Sequence, residues 1–212
     1  MQLNVSIIIP ILRNYNNFLE EALNTIQFQS YQPKEILIIG NTYNNKKIKE
    51  ICKKFKKCFF FGFKKEHASA KRFYGLSKAR SRYIAFMDYD DLWPKHRLWH
   101  LVKKINNNSL TYGGQCFFYK VGKKLIFMNK IFYSELLSNS LIKKKILMRE
   151  YYFKKNYILT EFLFYKKLLL NKYKINKIKN IVLYRRIHDK NFSNRRNKKY
   201  RLIDTLRHLI KI

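Results

Sequence analysis

The chain has 212 residues, with 46 Lys and Arg against 13 Asp and Glu and a formal net charge of +33. At this length one domain with a full hydrophobic core is expected, and 47% apolar residues exclude a disordered polyelectrolyte in spite of the charge. Six Gly and three Pro exclude collagen-like and low-complexity structure, and the Lys residues are spread along the whole chain, as a coding bias leaves them, rather than gathered in one block.

Val5-Ser6-Ile7-Ile8-Ile9-Pro10 reads as a buried strand ended by proline. A helix over 16–29 follows. It sets Phe18, Leu19, Ala22, Leu23 and Ile26 on one stripe and carries Glu20 and Glu21 early, where the helix dipole favours them. Residues 35–39 form a second buried strand, 46–55 a Lys-rich helix and 58–61 a third strand. A helix over 68–79 leads into Tyr83-Ile84-Ala85-Phe86-Met87, a fourth strand, and another helix opens near Pro94 with Leu98, Val102 and Ile105. This alternation predicts an α/β fold whose parallel sheet is covered by helices and binds ligands beyond the carboxyl ends of its strands.

The second half is less regular. Residues 111–119 and 124–128 read as antiparallel strands, 160–170 as a helix, and 173–178 and 181–184 as two short strands. The tail, 194–212, is a basic amphipathic helix with Leu202, Ile203, Leu206, Leu209 and Ile210 on one stripe. Such a helix suits packing on its own domain or contact with an anionic membrane. No run approaches the ~20 apolar residues of a membrane span, and the N-terminus has no signal-peptide pattern, so a cytoplasmic chain is expected, peripheral to the inner membrane face at most. Cys52, Cys58 and Cys116 make no framework, which implies reduced thiols and no zinc site.

The chemistry concentrates at one place. Asp88, Asp90 and Asp91 bring three of the 13 acidic residues within four positions, directly after a buried strand. Taken as an extended segment, it points Asp88 and Asp90 to the same side, where two carboxylates repel unless a cation lies between them. Mg2+ or Mn2+ suits such oxygen ligands and is readily shared with substrate phosphates, and a metal-bridged diphosphate leaves well. Asp91 also has the type and position of an N-cap for the helix near Pro94.

Several pieces in order and spacing carry a resemblance. They are Val5–Pro10, Phe18-Leu19-Glu20-Glu21-Ala22-Leu23 with Ser30-Tyr31-Gln32, Ser69-Ala70-Lys71-Arg72 with Gly75, the strand 83–87 running into Asp88-Tyr89-Asp90-Asp91, and Arg186-Ile187-His188. Over 5–193 the chain resembles a family 2 glycosyltransferase with the GT-A fold. The resemblance implies a single α/β domain over 1–193 with a Rossmann-like mixed central sheet and helices on both faces. Residues 1–110 would form the nucleotide-sugar donor half and 111–193 the acceptor half. It implies a hexosyltransferase-type enzyme that moves a sugar from a nucleotide-diphospho-sugar, a UDP-sugar first, to a glycan or lipid-linked acceptor hydroxyl. Inversion at the anomeric carbon and a role in cell-surface polysaccharide or lipopolysaccharide synthesis are implied as well.

By the same resemblance Pro10, Asn41, Arg72, Asp88 and Tyr89 would bind the nucleotide-sugar. Asp88, Asp90, Asp91 and His188 would hold Mn2+ or Mg2+, and Glu161 would be the general base. A guanidinium at 72 suits phosphate or a base carbonyl, and a carboxylate at 161 beside apolar rings suits abstraction of a hydroxyl proton. With no spanning helix and no Gln/Arg-x-x-Arg-Trp segment, one sugar per visit is expected. Three positions depart from the family pattern. Gly40-Asn41-Thr42 stands where Asp-Asp-Gly-Ser is usual, Leu12-Arg13 where Tyr-Asn is usual, and Glu161 where the base is usually Asp. A degraded, inactive copy of the fold is therefore a second reading. A basic nucleic-acid-binding protein is a third, against which the acidic cluster argues, so no nucleic-acid partner is expected.

Overall fold

The structure, a computed structural model, describes residues 3–12, 18–42, 46–134, 136–151 and 157–188, with side chains from 161 onward in the last stretch. Arg13 and the basic tail at 194–212 lie outside the described residues, and so does any N-terminal extension of the first helix over 16–17.

The elements in chain order are β1 (Val5–Pro10), α1 (Leu19–Gln27), β2 (Glu35–Gly40), α2 (Lys46–Lys53), β3 (Cys58–Gly62), α3 (Ala68–Lys78), β4 (Tyr83–Phe86) and α4 (Arg97–Ile105). There follow β5 (Leu110–Val121), β6 (Lys124–Tyr133), a 3-10 turn (Leu137–Asn139), β7 (Ser140–Lys143), α5 (Lys144–Glu150), α6 (Tyr157–Leu170) and β8 (Ile175–Arg186).

All strands join one mixed sheet in the order β3-β2-β1-β4-β7-β5-β6, and β8 pairs with β5. β3, β2, β1 and β4 are parallel, whereas β7 runs antiparallel to both β4 and β5. The unbroken apolar runs of β1 and β2 dictate this centre. Ile7, Ile8, Ile9, Ile36, Ile38 and Ile39 are fully buried, which only a sheet covered on both faces permits.

Alternation along β1 sorts the helices. Val5, Ile7 and Ile9 pack with Leu19 and Leu23 of α1, Ile48 of α2 and Leu98 of α4. Ile8 faces the other way, among Leu76 of α3, Leu147 of α5 and Phe164 and Leu168 of α6. The helices therefore cover both faces, as expected. Gly75 lets α3 lie close on the sheet, because a Cβ there would meet Ile8 Cγ2 at 2.5 Å and Ile39 Cγ1 at 3.2 Å.

Two parts of the second half differ from the sequence reading. The two short strands expected over 173–184 are one continuous strand, β8, parallel to β5. The irregularity that reads as a break is absorbed by register shifts at Gly113 and Gly114, where the Asn180 carbonyl crosses at 2.7 Å from the position of a Gly113 Cβ. Residues 140–150, which carried no expectation, form β7 and α5. A four-residue strand has too little length for periodicity to show, and here its pairing with β4 and β5 makes it one.

Candidate active site

The acidic segment lies just past the carboxyl end of β4. Met87 N–H donates to Ile8 O at 3.1 Å and Asp91 N–H to Asp88 O at 3.1 Å, so 88–91 closes as a β-turn. Leu92 and Tyr184 then exchange both backbone bonds at 2.9 Å and pin the turn to β8. The segment is thus not extended, and strand alternation does not set the directions of Asp88 and Asp90. Each carboxylate instead has its own partner.

Asp88 meets Arg72. This arginine stands on the buried side of α3, and its Nη2 donates to Asp88 Oδ1 at 2.7 Å while its Nη1 donates to Glu161 Oε1 at 2.8 Å. Glu161, from α6, has its second oxygen 3.4 Å from the Leu137 N–H. The Tyr151 ring is buried beside this group, and burial pushes its phenol up. Burial works against the Arg72 cation, but Asp88 and Glu161 outweigh it and hold the guanidinium charged. Burial raises Asp88 above the ordinary carboxylate range against the pull of Arg72, and Asp90 and Glu161 raise it further by repulsion. The Asp88 side chain nevertheless keeps 37% of its surface open, against 9% for Arg72, so this carboxylate is the more accessible part of the pair.

Asp90 meets His188, with Oδ2 and Nε2 3.0 Å apart. Arg186, two residues earlier, donates from Nε to the Asp90 backbone carbonyl at 2.8 Å and from Nη2 to Glu21 of α1 at 2.6 Å. Its guanidinium also lies over the Phe18 ring at 4.4 Å. Asp91 is 3% exposed and accepts the Arg186 backbone N–H at 3.0 Å. Burial, then repulsion from Asp90 and Asp88, pushes its carboxyl well above the usual range. Behind it Arg97 is fully buried, donating to Val182 O and Ser138 O and lying 4.0 Å from the Trp93 ring centroid. Burial pulls this arginine down to about 9, and the Asp91 charge opposes that.

At the neighbouring strand tips, Pro10 is buried and pairs in register with Ile39. Asn41 is held from both ends of its amide. Its oxygen accepts from the Lys71 ammonium, which also donates to Ile11 O at 2.5 Å, and its nitrogen donates to Glu66 Oε1 at 2.5 Å. Tyr89 packs half-buried against the apolar cluster of α1 and α4.

The structure therefore gathers the expected residues into three groups: Asp88 with Arg72 and Glu161, Asp90 with His188, and Asn41 with Lys71. Asp91 stands behind them on a backbone N–H. Glu66 and Arg186 complete the groups. Arg186 entered the sequence reading only as part of the late element, and Glu66 did not enter it at all. The signal for Glu66 was its isolation, since no other acidic residue lies between Glu50 and Asp88. A shallow depression of about 320 Å³ lined by Asn24, Thr25, Phe28, Trp93 and Lys95 holds none of these groups.

Known proteins match both the sequence and the fold. The pattern of Glycosyl transferase family 2 covers residues 6–174. An uncharacterized glycosyltransferase of Rickettsia felis is 36% identical over 110 residues, 51% of this chain and 18% of its own length. One of Rickettsia conorii is 31% identical over 144 residues, 67% of this chain and 23% of its own length. The chain thus spans about a fifth of the length of these relatives. Among solved structures, residues 1–349 of S. aureus TarS in complex with UDP-GlcNAc superpose with a TM-score of 0.71 at 15% identity, covering 96% of this chain and 65% of that one. The mannosyltransferase PcManGT of Pyrobaculum calidifontis, in complex with GDP-Man and Mn2+, gives 0.69 at 14% identity over 91% of this chain and 59% of that one. With its sheet order, its two helical layers and this match over most of its length, the chain belongs to glycosyl transferase family 2 and has the GT-A fold.

Proposed function

We propose that this domain transfers a hexose from a nucleoside-diphosphate sugar to an acceptor hydroxyl, one residue at a time and with inversion. The observation that carries the reading is Arg72, which ties Asp88 at the strand tip to Glu161 on α6 and so sets a donor-side carboxylate beside a proton acceptor. UDP-GlcNAc and GDP-Man in the complexes of the two structural neighbours support a donor of this class.

The roles follow from what each group has left to offer. Glu161 Oε1 is taken by Arg72, whereas among the described residues Oε2 has only the long contact with Leu137 and is the oxygen that receives the acceptor proton. The acceptor oxygen attacks the anomeric carbon, the bond from that carbon to the diphosphate oxygen breaks, and the nucleoside diphosphate departs with the electron pair. Asp88 and Tyr89 flank the ribose and phosphates, and Pro10 and Asn41 border the base. Glu66, tied to Asn41, supplies the carboxylate that the strand tip at Gly40 and Asn41 lacks. A charged acceptor for a base N–H binds roughly twice as strongly as a neutral one.

A divalent cation fits part of this site. Two carboxylates and an imidazole are suitable donors for Mg2+ or Mn2+. The 3.0 Å between Asp90 Oδ2 and His188 Nε2 is close to the ~3 Å edge of an octahedron with bonds of about 2.1 Å. Among the described residues no three acidic, His or Cys side chains gather as a cage, so such an ion would keep water and donor phosphate as its other ligands. When bound it neutralises the charge that develops on the leaving diphosphate. Asp91, buried on the Arg186 backbone, supports the turn rather than joining the ligands. Family membership suggests a cell-surface glycan or a lipid-linked saccharide as acceptor.

A second reading is a copy that keeps the fold without turnover, and the missing carboxylates at Gly40 and Asn41 favour it. Melting curves with UDP or GDP, each with and without Mn2+, followed by release of the nucleotide from UDP- and GDP-sugars, separate the two. A ligand bound only by the native state raises the melting temperature. A raised melting temperature with turnover supports the enzyme, whereas a raised one without turnover, or no response to any nucleotide, supports the inactive copy.

A further inference from the structure

The outer half of the β5–β6 hairpin presents a surface apart from the three side-chain groups of the candidate site. β5 is buried as far as Phe118 and then runs into solvent. Gly122, at φ +58, and Lys123 form the two-residue turn, a position where glycine is needed for the left-handed backbone. β6 returns with almost every side chain exposed.

The register decides which residues share a face. Tyr119 pairs with Ile126 and Val121 with Lys124, so these four lie together. Lys120, on the opposite face, reaches back to Glu21 of α1 at 2.6 Å, so the Tyr119 face is turned away from the domain. There Val121 is 58% exposed, Tyr119 41% and Ile126 39%. Met128, in the bulge of the pair, is another exposed aliphatic at 43%.

Charge selects the occupant. No Asp or Glu occurs between Asp91 and Glu135, and the hairpin carries Lys120, Lys123, Lys124 and Lys130. A second copy pairing along the β6 edge would bring lysine against lysine. A nucleic acid would use a series of flat rings for stacking, whereas on this face the ring of Tyr119 lies among the aliphatic Val121 and Ile126. Aliphatic and tyrosyl side chains ringed by cations match the boundary of a bilayer bearing anionic headgroups. The chain also leaves the described residues here, because Ile187 N–H donates to Phe118 O at 2.7 Å, and the basic, apolar-striped sequence of 194–212 starts shortly after.

We propose that the tip of the β5–β6 hairpin docks on an anionic membrane surface. Tyr119, Val121 and Ile126 enter the headgroup boundary, and Lys123 and Lys124 meet lipid phosphates. This holds whether or not the domain turns over a donor.

The test is co-sedimentation of the full chain with extruded vesicles of phosphatidylcholine, alone or with phosphatidylglycerol, at physiological and at high salt. High salt screens the general charge and leaves the apolar contribution. The double variant Val121→Ser, Ile126→Ser keeps every charge. It is expected to match the parent in circular dichroism and to lose high-salt binding to the anionic vesicles by on the order of tenfold. A tail variant, Leu206→Ser with Leu209→Ser, is expected to retain most of that binding. The proposal is overturned if the hairpin variant binds like the parent, or if the tail variant alone abolishes binding. It is also overturned if light scattering shows a dimer that the hairpin substitutions dissociate.

Discussion

The guanidinium of Arg186 holds the backbone carbonyl of Asp90 at 2.8 Å, and two residues later on the same chain His188 meets the Asp90 carboxylate at 3.0 Å. One short segment thus fixes both the path of the acidic turn and the partner of its middle carboxylate. If this pair contributes to a cation site, Asp90→Asn and His188→Ala should each weaken Mn2+ binding in the presence of UDP by at least about tenfold. Titration calorimetry reads this directly. An unchanged Mn2+ affinity in both variants would take the pair out of the metal site.

Arg72 answers two carboxylates at once, and removing it takes from both their hydrogen-bonded counter-charge. Arg72→Ala is expected to cost about 3 kcal/mol, the low end for a broken buried pair, because Asp88 remains open to solvent. Urea unfolding checks it as a shifted midpoint with an unchanged slope. Arg72→Lys keeps the charge but lacks the planar fork that spans the two carboxylates, so its cost should fall between.

Glu161→Gln removes the proton acceptor yet leaves an oxygen for Arg72 to donate to. Turnover should fall on the order of a hundredfold or more while the KM for the donor stays near that of the parent, and the melting temperature should drop because the buried Arg72 keeps only one of its two counter-charges. Turnover that falls only as far as the folded fraction does would mean that Glu161 serves the fold through Arg72 and does not take the proton.

The tie between Glu66 and Asn41 predicts where base recognition is lodged. Glu66→Gln exchanges a charged acceptor for a neutral one without changing size, so the affinity for the preferred nucleoside diphosphate should drop by roughly tenfold. The ratio of UDP to GDP affinities should move with it. Equal losses for every nucleotide would point to a general charge effect instead.

The parallel half of the sheet was legible because its signals are local. Ile7-Ile8-Ile9 and the apolar run of β2 announce strands covered on both faces, and the stripe of α1 announces its buried side. The antiparallel half was less so. β7 is four residues long and is a strand only because β4 and β5 flank it. β8 reads as two pieces because the compensating shift lies in β5, at Gly113 and Gly114, some 65 residues away by the numbering.

The same division runs through the site. Composition and position alone located the acidic cluster, since three carboxylates within four positions stand out in a chain of charge +33, and family likeness supplied Arg72, Glu161 and His188 as candidates. Which carboxylate meets which cation was settled only by the folded chain. Arg72 reaches Glu161 across 89 positions and Arg186 reaches Glu21 across 165, and the Asp88 to Asp91 hydrogen bond turns a presumed strand end into a turn. Hydrophobic period and capping act over a few residues and can be read in order. Pairings between distant side chains follow from how sheet and helices close on one another, and no local pattern encodes them.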